Sequence, residues 1–229
     1  MSAPEILLVT ERDYLPVVNQ LLEHARKSVD LLAFSFAIGS ASGALNVRSA
    51  PYRIAAQLAA IKEKRGDKLR VRVLMEGERE TEARNRVTGA YLEERGIEVG
   101  YGSSHAKGVC IDGRYLLLGS TNLTDQSIQK NNETNILLDD PKVAAGFLKF
   151  YEHRWRGGAH GKLKLSPPLL PDGAFLPALL KLIQSAKKHL HFSIYFFDQR
   201  DIEAALAEAH ERGVEITGFV LQHRAFALP

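Results

Sequence analysis

Residues 105–122 have the sequence HAKGVCIDGRYLLLGSTN, and this stretch decides how the first half of the chain folds. The dipeptide Asp-Gly at 112–113 lies between two apolar runs, which is the pattern of a tight turn joining two antiparallel strands. His105 and Lys107 are two residues apart on the first of these strands, so both side chains should project from the same face. Pairing outward from the turn places Ser120 roughly opposite His105.

The polar side chains of this stretch predict a site for an anionic tetrahedral group such as a phosphoryl. His105 supplies an imidazole and Lys107 an ammonium, while the Ser120 hydroxyl and the Asn122 amide supply neutral polar contacts. Gly119 allows the backbone to approach a bound ligand closely. An ammonium with several hydrogen-bonding groups can stabilise a phosphoryl group, so we expect neither a metal nor another cofactor.

The sequence on either side of this stretch alternates between helical and extended patterns. Helices are predicted at about 15–25, 53–64, 79–95 and 141–155. Strands are predicted at about 29–36, 69–74, 97–101 and 134–138, in addition to the two at the turn. Because the turn makes at least one pair antiparallel, the expected fold is an α/β sandwich with a mixed β-sheet flanked by helices.

The alternation stops in a stretch rich in Gly and Pro, which predicts a linker at 158–172. Beyond it the pattern begins again: Phe-Leu-Pro at 175–177 matches Tyr-Leu-Pro at 14–16, and helix, strand, helix and strand follow in the earlier order. We therefore expect a complete domain at 1–157 and an incomplete second copy at 173–229, related to the first by internal duplication.

The composition is that of an ordinary globular protein. Of 229 residues, 45% are apolar and 25% charged, which argues against disorder, and a net charge of +3 neither requires nor excludes a nucleic-acid partner. The single cysteine, Cys110, excludes an intrachain disulfide and a zinc site built from several cysteines. The longest apolar stretch, near 31–38, is too short for a transmembrane segment, and the first residues lack a basic secretory start. We expect a cytoplasmic protein.

The spacing of the polar residues identifies a family. His105, Lys107 two residues later, Asp112 after four more, and Gly-Ser-x-Asn at 119–122 reproduce the HKD motif, so the chain resembles the phospholipase D superfamily. The resemblance covers about residues 5–155 as one unit. Asp112 lies at the turn, away from the reacting centre, and we expect it to be structural, as is Gly119.

This resemblance implies a phosphodiesterase that forms a covalent phosphohistidine. His105 would attack phosphorus, while Lys107 and Asn122, assisted by Ser120, would hold the non-bridging oxygens. Glu133 lies where small nucleases and mitochondrial-type members of the superfamily carry a glutamate that hydrogen-bonds the catalytic histidine. The resemblance therefore gives Glu133 the role of fixing the imidazole.

The family also uses a second histidine, which protonates the leaving alcohol and comes from a second HKD motif. This chain contains no second H-x-K-x4-D. Two interpretations stay open. In one, the chain is a truncated two-motif protein; in the other, two chains form a homodimer in which each contributes His105 to a shared site.

The resemblance does not decide the substrate, because the motif recognises a phosphodiester and not the groups attached to it. The first hypothesis is a metal-independent phosphodiesterase that hydrolyses or transfers phosphodiesters of phospholipids. The runner-up is an HKD-family endonuclease that acts on DNA or RNA. The third is a catalytically silent phosphate-binding or scaffolding module that lacks the second histidine.

Overall fold

The computed structural model describes residues 5–159, 161 and 163–220. The chain divides into two compact units, Met1–Leu169 and Leu170–Pro229. Each unit has a hydrophobic core of its own. The division falls inside the stretch that the sequence predicts as a linker.

The described part of the first unit contains seven strands and five α-helices. The strands are β1 (Glu5–Thr10), β2 (Ser28–Ala33), β3 (Arg70–Glu76), β4 (Glu98–Gly102), β5 (Gly108–Ile111), β6 (Tyr115–Gly119) and β7 (Thr134–Asp139). The helices are α1 (Glu11–His24), α2 (Ala50–Arg65), α3 (Glu82–Glu93), α4 (Asp125–Gln129) and α5 (Pro141–Trp155).

The seven strands form one mixed sheet in the order β1-β7-β6-β5-β2-β3-β4. β2, β3 and β4 run parallel, as expected where helices connect neighbouring strands. β5 pairs antiparallel with β2, β6 with β5, β7 with β6 and β1 with β7. The predicted fold class, an α/β sandwich with a mixed sheet, is confirmed.

Helices cover both faces of this sheet, so its central strands are apolar on both sides. On β2, Leu31 belongs to the core beneath α1 to α4, whereas the adjacent Leu32 belongs to the core beneath α5. From α5, Phe147 and Tyr151 fill the second core. This double burial explains why β2 has apolar residues at neighbouring positions; its one charged side chain, Asp30, is buried in ion pairs with Arg70 and Arg72.

Two elements of the first unit, β1 and α4, were not predicted from the sequence. β1 is an edge strand, and Ile6, Leu7 and Leu8 are all exposed, so it lacks the alternation of a half-buried strand. α4 has five residues, too few for a helical period. It starts because the Thr124 hydroxyl accepts a hydrogen bond from the Ser127 N–H at 3.2 Å.

The turn between β5 and β6 lies at the predicted position. Asp112 and Gly113 both have positive φ, 56° and 66°, as a two-residue antiparallel turn requires. The Asp112 carboxylate accepts hydrogen bonds from the backbone N–H groups of Arg26, Lys27 and Ser28, at 2.9, 2.7 and 2.9 Å. We call this arrangement the Asp112 clasp. It ties the β5–β6 turn to the entry into β2.

Replacing Asp112 with alanine should destabilise the first unit by about 2–4 kcal/mol, because three N–H groups lose a charged acceptor and alanine is strained at positive φ. Urea unfolding measures this change. Asp112→Asn is the matched control: it keeps one acceptor oxygen and tolerates positive φ, so its loss should be smaller. An alanine variant as stable as wild type would contradict the role given to the clasp.

The second unit contains α6 (Phe175–Ser185), β8 (His189–Ile194), α7 (Arg200–Glu211) and β9 (Glu215–Val220). β8 and β9 pair in parallel. This is the order and strand direction of α1, β2, α2 and β3 in the first unit. Its core is small, with Ile183, Ala205, Ala209 and Val214 buried. No helix in the described part of either unit is both long and apolar enough to cross a bilayer.

Candidate active site

One edge of the large sheet collects the residues that the sequence singles out. The carboxyl ends of β2, β3 and β6 meet the amino ends of β5 and β7 at this edge, as the strand directions require. His105 and Lys107 precede β5, Ser120 and Asn122 follow β6, and Glu133 precedes β7. Asp112 lies at the opposite end of β5. We call the end of the sheet that carries His105, Lys107, Ser120, Asn122 and Glu133 the catalytic edge.

His105 and Lys107 form the centre of the site. The Lys107 Nζ lies 3.3 Å from Nδ1 and 3.4 Å from Nε2 of His105, and it donates a hydrogen bond to the His105 carbonyl oxygen at 2.7 Å. The imidazole is exposed, whereas Lys107 is only 9% exposed. An accessible imidazole therefore stands beside a nearly buried cation.

This environment lowers the pKa of both groups. Burial lowers the pKa of Lys107 to about 8, against a smaller opposing effect of the nearby Glu133 carboxylate. Burial and the adjacent Lys107 charge lower the pKa of His105 below its ordinary value. At neutral pH the imidazole is thus mainly uncharged, with a lone pair free to act as a nucleophile, while Lys107 keeps its charge.

Phe34 is a residue of the site that the sequence analysis missed. Its ring lies 4.4 Å from the His105 ring, centroid to centroid, and the Lys107 Nζ lies 4.9 Å from the same centroid. Asn85 and Thr81 donate hydrogen bonds to the Phe34 carbonyl at 2.9 and 3.0 Å. The aromatic ring therefore forms a fixed wall against both polar groups.

Glu76 is a second missed residue, and it supports the segment before His105. Its buried carboxylate accepts hydrogen bonds from the backbone N–H groups of Ser104 at 2.9 Å and Glu78 at 3.0 Å. Arg79 Nε lies 4.0 Å from the same carboxylate. A glutamate at the end of a strand is common in sequences, so only these contacts distinguish it.

Glu133 reaches the catalytic edge, but its hydrogen bonds differ from those expected. The carboxylate accepts from the hydroxyls of Ser120 (2.5 Å) and Ser127 and from the Asn131 amide at 3.2 Å. The imidazole of His105 is not among its hydrogen-bond partners, so the expected hydrogen bond between Glu133 and His105 is absent. The reason is local: α4 and the residues after it supply donors that saturate the carboxylate.

The Ser120 side chain does not face His105. Gly108 pairs with Leu118, and beyond this pair the Gly119 N–H donates a hydrogen bond to the Lys107 carbonyl. Continuing this register places Ser120 opposite Ala106, one residue away from His105. The Ser120 hydroxyl turns to Glu133, so the expected position opposite His105 is corrected. At Gly119, an added Cβ would overlap the Asn135 side chain, so only glycine fits.

Asn122 presents a polar atom that the described residues leave unpaired. Its backbone N–H donates to the Ser127 hydroxyl at 2.8 Å, which fixes the loop after β6. The buried side-chain Oδ1 has no hydrogen-bond partner in the described part of the chain. A buried polar atom without a partner is rare in folded proteins. This oxygen only accepts hydrogen bonds, so Asn122 could contact a phosphoryl oxygen only through its Nδ2 donor.

Lys107 supplies a positive charge at the centre of the site. Among residues 5–159, 161 and 163–220, no group of three or more His, Cys, Asp or Glu side chains is arranged to hold a metal ion. The site combines a mainly uncharged imidazole and an ammonium, with the Asn122 side chain at the same edge of the sheet. Such a set can bind a phosphoryl group and place a nucleophile against it.

Comparisons with known proteins agree with this chemistry. The family model described as "Cardiolipin synthase, PLD-like domain" matches residues 18–155, more than half of the chain. The human protein named mitochondrial cardiolipin hydrolase is 32% identical over 90 residues, which cover 38% of this chain and 36% of the relative. The zebrafish (Danio rerio) protein of the same name is 30% identical over 158 residues, 64% of this chain and 60% of the relative. The chain thus spans less than two thirds of these relatives.

Solved structures share the fold at low sequence identity. Nuc from Salmonella typhimurium, a phospholipase D family member, is 23% identical with a TM-score of 0.56, over 69% of this chain and 97% of that one. Phosphatidylserine synthase from Haemophilus influenzae is 15% identical with a TM-score of 0.69, over 94% of this chain and 61% of that one. The family match over residues 18–155 and the mixed sheet agree: the chain belongs to the family of phospholipase D-like domains.

Proposed function

We propose that this protein is a metal-independent phosphodiesterase that cleaves the phosphodiester bonds of phospholipids through a phosphohistidine on His105. One observation carries the proposal: an exposed imidazole with a lowered pKa has the Lys107 ammonium 3.3–3.4 Å from its ring nitrogens. A phosphoryl oxygen bound to this ammonium would bring its phosphorus within reach of the imidazole.

The reaction would proceed in two displacements. A ring nitrogen of His105 attacks phosphorus, an N–P bond forms, and the P–O bond to the leaving alcohol breaks as an acid protonates that oxygen. Lys107 and the Asn122 amide stabilise the non-bridging oxygens as charge builds on them. Water then attacks phosphorus, the N–P bond breaks, and a phosphomonoester leaves with the imidazole restored.

The acid in this scheme is a second histidine, and we assign it to His105 of a second copy of the chain in a homodimer. In the shared site, one imidazole attacks phosphorus while the other donates its proton to the leaving oxygen. Because the two histidines are equivalent by symmetry, the orientation of the bound substrate decides which of them attacks. Analytical ultracentrifugation at assay concentration tests this assignment. A monomer with full turnover would contradict it.

Phospholipid is favoured over nucleic acid by the relatives and by the surface near the site. The curated relatives described above are named mitochondrial cardiolipin hydrolase, and the family model is described as a cardiolipin synthase domain. The long loop that follows β2 carries exposed aliphatic side chains and no acidic residue. The similarity to Nuc keeps a nuclease as the rival.

The experiment begins with a substrate that lacks both lipid and base. Release of nitrophenol from bis(p-nitrophenyl) phosphate in excess chelator is expected, and turnover lost on chelation would contradict a metal-independent mechanism. Cardiolipin in detergent micelles and single-stranded DNA are then compared as competing substrates. Preference for DNA would replace the lipid assignment with the nuclease, and no turnover of any substrate would indicate a silent phosphate-binding module.

The lowered pKa of Lys107 predicts an alkaline limit to activity. We expect kcat/KM for the soluble diester to fall as the pH rises through about 8, because the free enzyme then loses the ammonium that binds the phosphoryl oxygens. A pH profile measures this limb. In Lys107→Arg the guanidinium stays charged, so the limb should disappear even if activity is lower. A wild-type profile that stays flat above this pH would contradict the assignment.

A further inference from the structure

The segment between β2 and α2 contains a short hairpin. Gly39 pairs with Leu45 in an antiparallel bridge, and the Ser40 N–H donates to the Ala44 carbonyl at 2.9 Å. The Gly43 N–H closes the tip by donating to the Ser40 carbonyl at 3.1 Å. We call residues 39–47 the rim hairpin.

The rim hairpin is rooted at the catalytic edge. Before it, the Ala37 N–H donates to the Leu123 carbonyl at 2.9 Å, and Leu123 directly follows Asn122 of the site. After it, the Ala50 N–H donates to the Asp125 carboxylate at 2.7 Å. Phe34, which contacts His105, is only five residues before the hairpin, and five residues span at most about 17 Å.

The side chains of the rim hairpin are exposed and unusually apolar for such a position. Every residue from 40 to 48 is exposed, and Leu45 and Val47 have 43% and 61% of their surface in contact with solvent. Residues 39–49 include no acidic side chain, and Arg48 adds a positive charge beside Val47. Hydrogen bonds thus hold two aliphatic side chains in water beside a phosphate-binding site.

We propose that the rim hairpin inserts Leu45 and Val47 into the interfacial region of an anionic phospholipid bilayer. Amphipathic segments that bind membranes place apolar side chains about 5–10 Å into the boundary between headgroups and acyl chains, with basic side chains near the phosphates. Arg48 supplies the basic group, and the root of the hairpin holds the catalytic edge close to the headgroup layer. The inference rests on the lipid substrate proposed above.

Binding is tested apart from catalysis by working in the His105→Ala background, which does not consume the lipid. Co-sedimentation is measured with vesicles of cardiolipin and phosphatidylcholine. Leu45→Ser/Val47→Ser should weaken vesicle binding by about tenfold or more, because two apolar side chains no longer leave water. Both residues are exposed, so the fold is expected to survive, as circular dichroism can verify.

The matched control is Phe175→Ser/Leu182→Ser, which removes two exposed apolar side chains from α6 in the second unit. Vesicle binding by this control should stay close to that of the parent. An equal loss of vesicle binding in both double variants would overturn the proposal, since non-specific hydrophobic adsorption would explain it. A rim-hairpin variant that changes the sedimentation of the free protein and leaves vesicle binding intact would overturn it in favour of contact between copies.

Turnover separates this inference from the function on which it rests. With His105 present, the rim-hairpin variant should lose about tenfold or more in rate on cardiolipin vesicles while its kcat/KM for bis(p-nitrophenyl) phosphate stays within about twofold. Equal rates on vesicles for variant and wild type would overturn the hairpin proposal alone. Absence of soluble-diester turnover in the wild type would instead overturn the phosphodiesterase.

Discussion

Replacing His105 with alanine should lower kcat for bis(p-nitrophenyl) phosphate by about 10³-fold or more, since loss of a covalent nucleophile typically has effects of this size. The variant also loses the acid if the second imidazole is the His105 of another copy. The fold should be unaffected, because the imidazole is exposed and lies at the surface against Phe34 and Lys107. Initial rates at neutral pH measure the change.

Rapid alkaline quenching distinguishes the nucleophile from a mere binding residue. Wild-type protein quenched during turnover should yield a peptide that carries a p-nitrophenyl phosphoryl group on His105, because only one nitrophenol leaves in the first displacement, and this adduct should be labile to acid. His24→Ala is the matched control, because His24 is another exposed histidine and hydrogen-bonds only to the local Gln20 carbonyl. A His105→Ala variant with a tenth or more of wild-type turnover would refute the covalent route.

Replacing Lys107 with methionine should change activity and stability in opposite directions. Turnover should fall by about 10²–10³-fold, since the charge that stabilises the phosphoryl oxygens is lost. The free energy of unfolding at pH 7 should rise by about 1–2 kcal/mol, because methionine fills the site without the cost of burying a charge. Denaturant unfolding and soluble-diester kinetics on the same preparations measure both effects.

The pH dependence of stability gives an independent check on this burial. In the unfolded chain Lys107 has its ordinary pKa of 10.5, whereas in the folded protein the pKa is about 8. Between these values the unfolded chain binds more protons, so this residue makes wild-type stability rise with pH over that interval. Below about pH 8 the full free-energy cost of burying the Lys107 charge is present. The methionine variant should lack this rise.

Lys142→Met is a suitable control for a lysine replacement, because Lys142 is exposed on α5 and lies outside the catalytic edge. It should change neither turnover nor the pH dependence of stability. A Lys107→Met variant that is less stable than wild type would show that the hydrogen bond to the His105 carbonyl outweighs the cost of burial.

Much of the fold could be predicted from local sequence. The Asp-Gly turn fixed the β5–β6 pair, because both turn residues adopt the positive φ that this dipeptide favours. Continuous apolar runs indicated the central strands. β1 could not be found in this way, since its pairing with β7 joins segments more than a hundred residues apart and Ile6, Leu7 and Leu8 remain exposed.

The site was predicted less completely than the fold. Motif spacing located His105 and Lys107, because residues two apart in an extended segment stay close together, although both lie just before β5 and not on it. The hydrogen bonds of Glu133 depend on Ser127 and on the short α4, whose position the spacing does not give. Phe34 was read as one apolar residue of a buried strand, and its contact with His105 arises only when β5 is placed beside β2.

The Asp112 clasp has a consequence for catalysis as well as for stability. A shift of one residue between β2 and β5 would turn His105 and Lys107 to the other face of the sheet. Three N–H groups at the entry to β2 hold the far end of β5, so the clasp prevents this slip from the edge opposite the imidazole. The aspartate of the HKD motif thus fixes the register of β5 from its far end, and with it the position of His105, three residues before the strand begins.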